Sequence, residues 1–144
     1  MILLFLHLML FTISVEAQSS IGLDRGTISI NISNINKSSG NILLAVYNNE
    51  KGFRDPKQAY LLRVLPLTEK SCTTVLENLP EGNYSITVFH DLNSNGKIDM
   101  KWAGIPIEPY GFSKNPKIMF GPPSFEETAV LIREESIELK IILK

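Results

Sequence analysis

A single cysteine, Cys72, occurs in the 144 residues, so the chain cannot close an internal disulfide. No nucleophile motif surrounds Cys72, which reads as a small apolar residue on a strand. An excess of one charge is missing too: 14 Lys and Arg face 15 Asp and Glu, with no long run of either sign. That balance excludes electrostatic capture of nucleic acid or of an anionic membrane surface. The sequence also lacks a glycine-rich phosphate loop, a zinc-spaced Cys/His cluster, a Gly-x-Ser-x-Gly elbow and any internal repeat. These gaps remove most cofactor-dependent enzymes and make catalysis the less favoured reading.

What is present begins with an apolar run from Ile2 to Val15, interrupted only by His7, Thr12 and Ser14. It ends in Val15-Glu16-Ala17, with small residues where a signal peptidase reads, so residues 1–17 are expected to be a secretory signal. About fourteen apolar residues fall short of the roughly twenty that a spanning helix needs, so no membrane span is expected after cleavage. Removing residues 1–17 would leave 127 (144 − 17) and would take away Glu16, giving 14 acidic against 14 basic side chains. Residues 18–25 read as a short linker, and 26–144 have the length of one domain with a usable core.

The body of the chain alternates with a period of two. Thr27-Ile28-Ser29-Ile30-Asn31-Ile32-Ser33 places isoleucines on one face, and Ile137-Glu138-Leu139-Lys140-Ile141 alternates as cleanly. Residues 41–47 and 60–65 are more continuous apolar runs, while 72–76, 83–90 and 129–132 complete the expected strands. A helical turn is expected within 52–58. About seven short strands with polar turns and no helical period predict an all-β fold, an antiparallel β-sandwich.

Between His90 and Ser124 lies a stretch with no strand or helix pattern, and compact domains rarely carry such a loop without a use. Five prolines and the aromatics Trp102, Tyr110, Phe112 and Phe120 predict that residues 91–123 form an ordered excursion. Its first part, Asp91-Leu92-Asn93-Ser94-Asn95-Gly96-Lys97-Ile98-Asp99, bears side-chain oxygens at alternate positions before a glycine, the pattern of a loop that wraps a hard cation. Asp91, Asn93, Asn95 and Asp99 are the candidate side-chain ligands for calcium, and Lys97 the candidate backbone carbonyl. Position twelve of such a loop is Trp102 where a bidentate Glu would close it, so Glu108 is the expected completing carboxylate. With so few charges, an affinity of about 10⁻⁴ to 10⁻³ M is expected. A tight turn built on Asx side chains and Asn95-Gly96 is the competing reading of the same residues.

His90 raises the alternative of a hydrolase, with Ser113 and Ser124 as the serines of the long loop. Neighbours on a strand face opposite ways, however, so His90 and Asp91 make no dyad there, and His90 falls on the core-facing register of Tyr84, Ile86 and Val88. Trp102 and Tyr110, joined by His90, form the candidate ligand-binding set, with a saccharide or a peptide as the partner that would stack on the two aromatics.

Leu79-Pro80-Glu81-Gly82-Asn83-Tyr84 resembles the strand-opening motif of prealbumin-like sandwiches such as the carboxypeptidase regulatory-like domains. The longer series Phe89-His90-Asp91 through Asp99, then Gly104-Ile105-Pro106, Glu108, Tyr110-Gly111-Phe112-Ser113 and Phe120-Gly121-Pro122-Pro123-Ser124-Phe125, resembles the bacterial domain-of-unknown-function family 2141. The resemblance covers residues from about Gly26 to the C-terminus. It implies a prealbumin-like or Ig-like sandwich, secreted or periplasmic, with no assigned activity. The expectation is therefore a non-enzymatic binding or structural module outside the cytoplasm, with its long loop ordered by calcium.

Overall fold

The computed structural model describes residues 25–119 and 121–144. The expected signal segment and most of the linker lie outside the described residues. Alternation does what the sequence predicts in β1 (Arg25–Ser33), where Ile28, Ile30 and Ile32 are completely buried and Ser29 and Asn31 face outward. Each such isoleucine contributes about 1.5–3 kcal/mol of burial free energy. β1 sits between β4 (Cys72–Pro80) and β8 (Ser136–Ile142) in a three-stranded sheet.

The second sheet runs β3 (Leu61–Pro66), β2 (Asn41–Tyr47), β5 (Gly82–Asp91), β6 (Tyr110–Phe112), with β7 (Val130–Ile132) paired to the start of β5. Ile42, Leu44 and Val46 of β2 and Ile86 and Val88 of β5 face the isoleucines of β1 across the core. The fold is thus an all-β sandwich of eight strands among the described residues. Its pairings are antiparallel except for β1 with β8, which run parallel from Thr27↔Ser136 to Ser33↔Ile142.

Two elements depart from expectation. β6 lies inside the segment read as strandless, where Tyr110 and Phe112 pair with Phe89 and Thr87 of β5. Its other side meets the C-terminus, since Tyr110 and Lys144 exchange both backbone hydrogen bonds at 3.3 and 2.9 Å. Gly111 allows this approach, because a Cβ there would stand 2.8 Å from the Ile141 side chain and 3.1 Å from a backbone oxygen of Ile142. The second is a one-turn helix, α1 (Phe125–Thr128), opened by Ser124 in a capping box with Glu127. The expected turn within 52–58 is a 3₁₀ turn at Pro56–Gln58, capped by the Asp55 side chain. Hydrogen bonding of that carboxylate to Gln58 and to the Lys57 backbone holds the Asp55 pKa below its ordinary value.

Candidate functional site

β5 ends at Asp91, which is 1% exposed and anchors the loop that follows. Its Oδ1 accepts from Asn95 N at 3.1 Å and its Oδ2 from Gly96 N at 2.8 Å. Asn93 Oδ1 accepts from the same Asn95 N at 3.1 Å, and Asn95 Oδ1 from Lys97 N at 2.8 Å, giving two successive Asx turns. Ser94 and Gly96, with φ of 59° and 76°, take the left-handed positions. Asp99 closes the figure by accepting from Asn93 Nδ2 at 2.7 Å and Asn95 Nδ2 at 3.2 Å. Asn93 and Asn95 thus meet at Asp99 through their NH₂ groups, while Asp91 shares the Asn95 amide with Asn93, so the four side chains belong to one hydrogen-bonded loop.

Hydrogen bonding leaves lone pairs on these oxygens, since a carboxylate offers about four acceptor sites and an amide oxygen two. The donor types match a hard cation that takes oxygen ligands. In the structure the two amide NH₂ groups serve Asp99 as a cation would, so an ion held by Asn93 and Asn95 would have to displace those contacts. Among the described residues no three of His, Cys, Asp and Glu gather in a metal-ligating group. A cation here would rest on two carboxylates, Asp91 and Asp99, and on neutral oxygens, the Lys97 carbonyl being a candidate among them.

Glu108 is brought to the loop, but by its backbone stems. Oε1 accepts from Leu92 N at 2.8 Å and Oε2 from Asp99 N at 3.1 Å, so this buried carboxylate ties the start of the loop to its end. Ile107 N donating to Asp99 O and His90 N donating to Pro109 O hold the flanking chain in place. The turn at Gly40 packs from the other side. At φ +81° it has no Cβ, and one placed there would lie 2.3 Å from the Asp91 carbonyl oxygen.

His90 is completely buried on the core face, and its Nε2 donates to the Ser39 carbonyl at 2.7 Å. Nδ1 is buried without a hydrogen-bond partner. The serines of the long loop are occupied elsewhere: Ser113 Oγ donates to Thr128 O at 2.6 Å and accepts from Ile86 N, and Ser124 caps α1. His90 is thus joined to a carbonyl and not to a hydroxyl nucleophile, and its ring positions the 37–40 turn against the base of the loop.

The aromatics part company. Trp102 is 100% exposed in the turn closed by Gly104 N donating to Lys101 O, whereas Tyr110 is half-buried and meets Phe112 edge to face at 5.9 Å. Tyr110 lines a groove of about 630 Å³ between the outer face of the second sheet and the segment 96–122. Leu43, Ala45 and Phe89 lie on the sheet side, Ile98, Ile105 and Ile118 on the loop side. Burial raises the Tyr47 phenol above its ordinary pKa, partly offset by its hydrogen bond with the Thr87 side chain. Sequence reasoning named the loop but missed the groove, although the continuous apolar runs of β2 and β3 were its signal.

Together these features define an eight-stranded sandwich with a polar-turn loop at one end and an apolar groove on one outer face. Residues 30–140 match the family described as "Uncharacterized protein conserved in bacteria (DUF2141)", and the chain belongs to that family. No curated protein and no solved structure matches it.

Proposed function

We propose that this protein is a secreted or periplasmic, non-enzymatic β-sandwich binding module whose Asp91–Asp99 loop takes calcium and thereby fixes the wall of the apolar groove. The observation that carries this reading is that four oxygen-bearing side chains share one hydrogen-bonded loop at the start of the segment that goes on to line the groove. Export is supported by the apolar run Ile2 to Val15 with its cleavage-like ending. Among the described residues no helix is long and apolar enough to cross a membrane.

Thermal melts in millimolar calcium and in chelator test the loop. An ion bound only by the folded chain at 100 times its Kd adds about 2.7 kcal/mol. The wild type is expected to melt higher in calcium, and Asp91→Ala is expected to melt alike in both. Identical wild-type melts would leave the loop as a hydrogen-bonded turn and remove calcium from the proposal.

A second reading follows from Trp102, which stands fully exposed between Met100 and Gly104, both of which line the groove. There it serves as a stacking platform for a saccharide or peptide, while Tyr110 lines the groove itself. Because Trp102 is the sole tryptophan, its fluorescence reports directly on such a contact. An emission shift on titration with oligosaccharides or peptides is expected, and a spectrum unchanged across both sets would remove Trp102 from the binding surface.

A further inference from the structure

The groove has a charge asymmetry that narrows its ligand. Among the described residues that line it none is acidic and two are basic, Arg54 and Arg63. Arg63 stands opposite core-facing Leu44 and in register with Leu61 and Leu65, so its side chain leaves the other face of β3, and Arg54 is the cation on the groove's side. Arg54 lies next to Pro56, while the loop wall is apolar, with Ile98, Met100 and Ile105. Among the described residues Arg54 makes no ion pair. Arg54 lies 5.7 Å from the Phe53 ring centroid at a left-handed φ of 68°, so its backbone is held in a conformation that non-glycine residues rarely adopt. Leu62 and Val64 on the groove's side are 58% and 60% exposed, an apolar surface with the Arg54 guanidinium at its end.

A long apolar trough with a cation at one end is complementary to a molecule with a hydrocarbon tail and an anionic head. We propose that the groove holds one free long-chain fatty acid, its hydrocarbon along the outer face of β2, β3 and β5 beneath segment 96–122, and its carboxylate on Arg54 at the groove's end. Arginine is the cation suited to this, because its planar guanidinium meets a carboxylate through two parallel hydrogen bonds. Hydroxyls of Tyr47, Thr87 and Tyr110 supply the few polar groups that such a pocket uses to orient its ligand. Two walls favour an extracted single chain over a membrane face, and a formal net charge of −1 gives no pull toward an anionic bilayer.

This rests on the binding-module reading but not on calcium, so displacement of a dansyl-labelled undecanoic acid is measured on the full folded protein in calcium and again in chelator. Palmitic acid is expected to displace the probe at least about tenfold more effectively than hexadecanol, since only the acid offers a charged partner to arginine. Arg54→Gln is expected to erase that preference while the alcohol's affinity stays the same, and Arg63→Gln, on the other face of β3, is expected to keep it. Val64→Glu, a substitution at an exposed position, is expected to weaken both ligands without lowering the melting temperature. Equal displacement by acid and alcohol in the wild type overturns the proposal, as does a complete lack of acid binding in both buffers. A calcium-shifted melt alongside that lack would sink the fatty acid and leave the loop intact. A stable dimer in solution that Leu62→Glu dissociates would give the groove to a second copy of the chain, and would also overturn it.

Discussion

The two sheets turn the same apolar face inward and opposite kinds of face outward. On the three-stranded sheet the outward positions are Ser29, Asn31, Thr73, Glu77, Glu138 and Lys140, with Val75 and Ile142 as exceptions. On the other sheet they are Leu43, Ala45, Leu62, Val64, Thr87 and Phe89. Solvent covers the first face at no cost. The second needs another cover, and the chain supplies part of it with segment 96–122. Loop and face therefore belong to one device: the polar turns at its base stiffen a wall that the polar sheet does not require.

The largest test of that comparison removes the tie between loop and sheet. Glu108→Ala leaves Leu92 N and Asp99 N without their buried acceptor, and a loss of about 3 kcal/mol is expected in denaturant unfolding, because each bond to a charged group contributes roughly 1.5–3 kcal/mol. A loss below half a kcal/mol would mean that the loop stands without this brace. A smaller effect is expected under the groove, where Phe89→Ser should cost about 2 kcal/mol from lost apolar burial. The matching change on the other sheet, Ser29→Glu, should stay within about 0.5 kcal/mol, as surface substitutions usually do. Equal costs for Phe89→Ser and Ser29→Glu would abolish the distinction between the two faces.

Much of this difference was legible in the chain. Strict alternation in 27–33 and 137–141 marks strands with one wet face, and both lie in the three-stranded sheet. The more continuous apolar runs 41–47 and 60–65, the second interrupted by Arg63, mark strands with apolar residues on both faces, and these are β2 and β3. β6 was not legible, because three residues carry no period and their partners are Phe89, Thr87 and the distant Lys144. α1 did leave a trace, the capping-box spacing Ser124 to Glu127, but one helical turn offers no hydrophobic period to accompany it. For the loop, the alternate oxygens and Asn95-Gly96 marked the Asx turns that the structure contains. That Glu108 would spend both oxygens on backbone amides depends on how the returning chain 99–109 folds over, which no local pattern encodes.

The parallel seam between β1 and β8 bears on how the molecule comes into being. It joins Thr27 to Ser136, positions separated by 109 residues (136 − 27), so β1 waits for β8 before their sheet is whole. Contacts so remote along the chain slow assembly, because the loop between them must be closed before they return any stabilisation. Until β8 has been synthesised, β1 presents an open edge with three unsheltered isoleucines, and a holding factor that kept the nascent chain apart from its neighbours would act on that strand first.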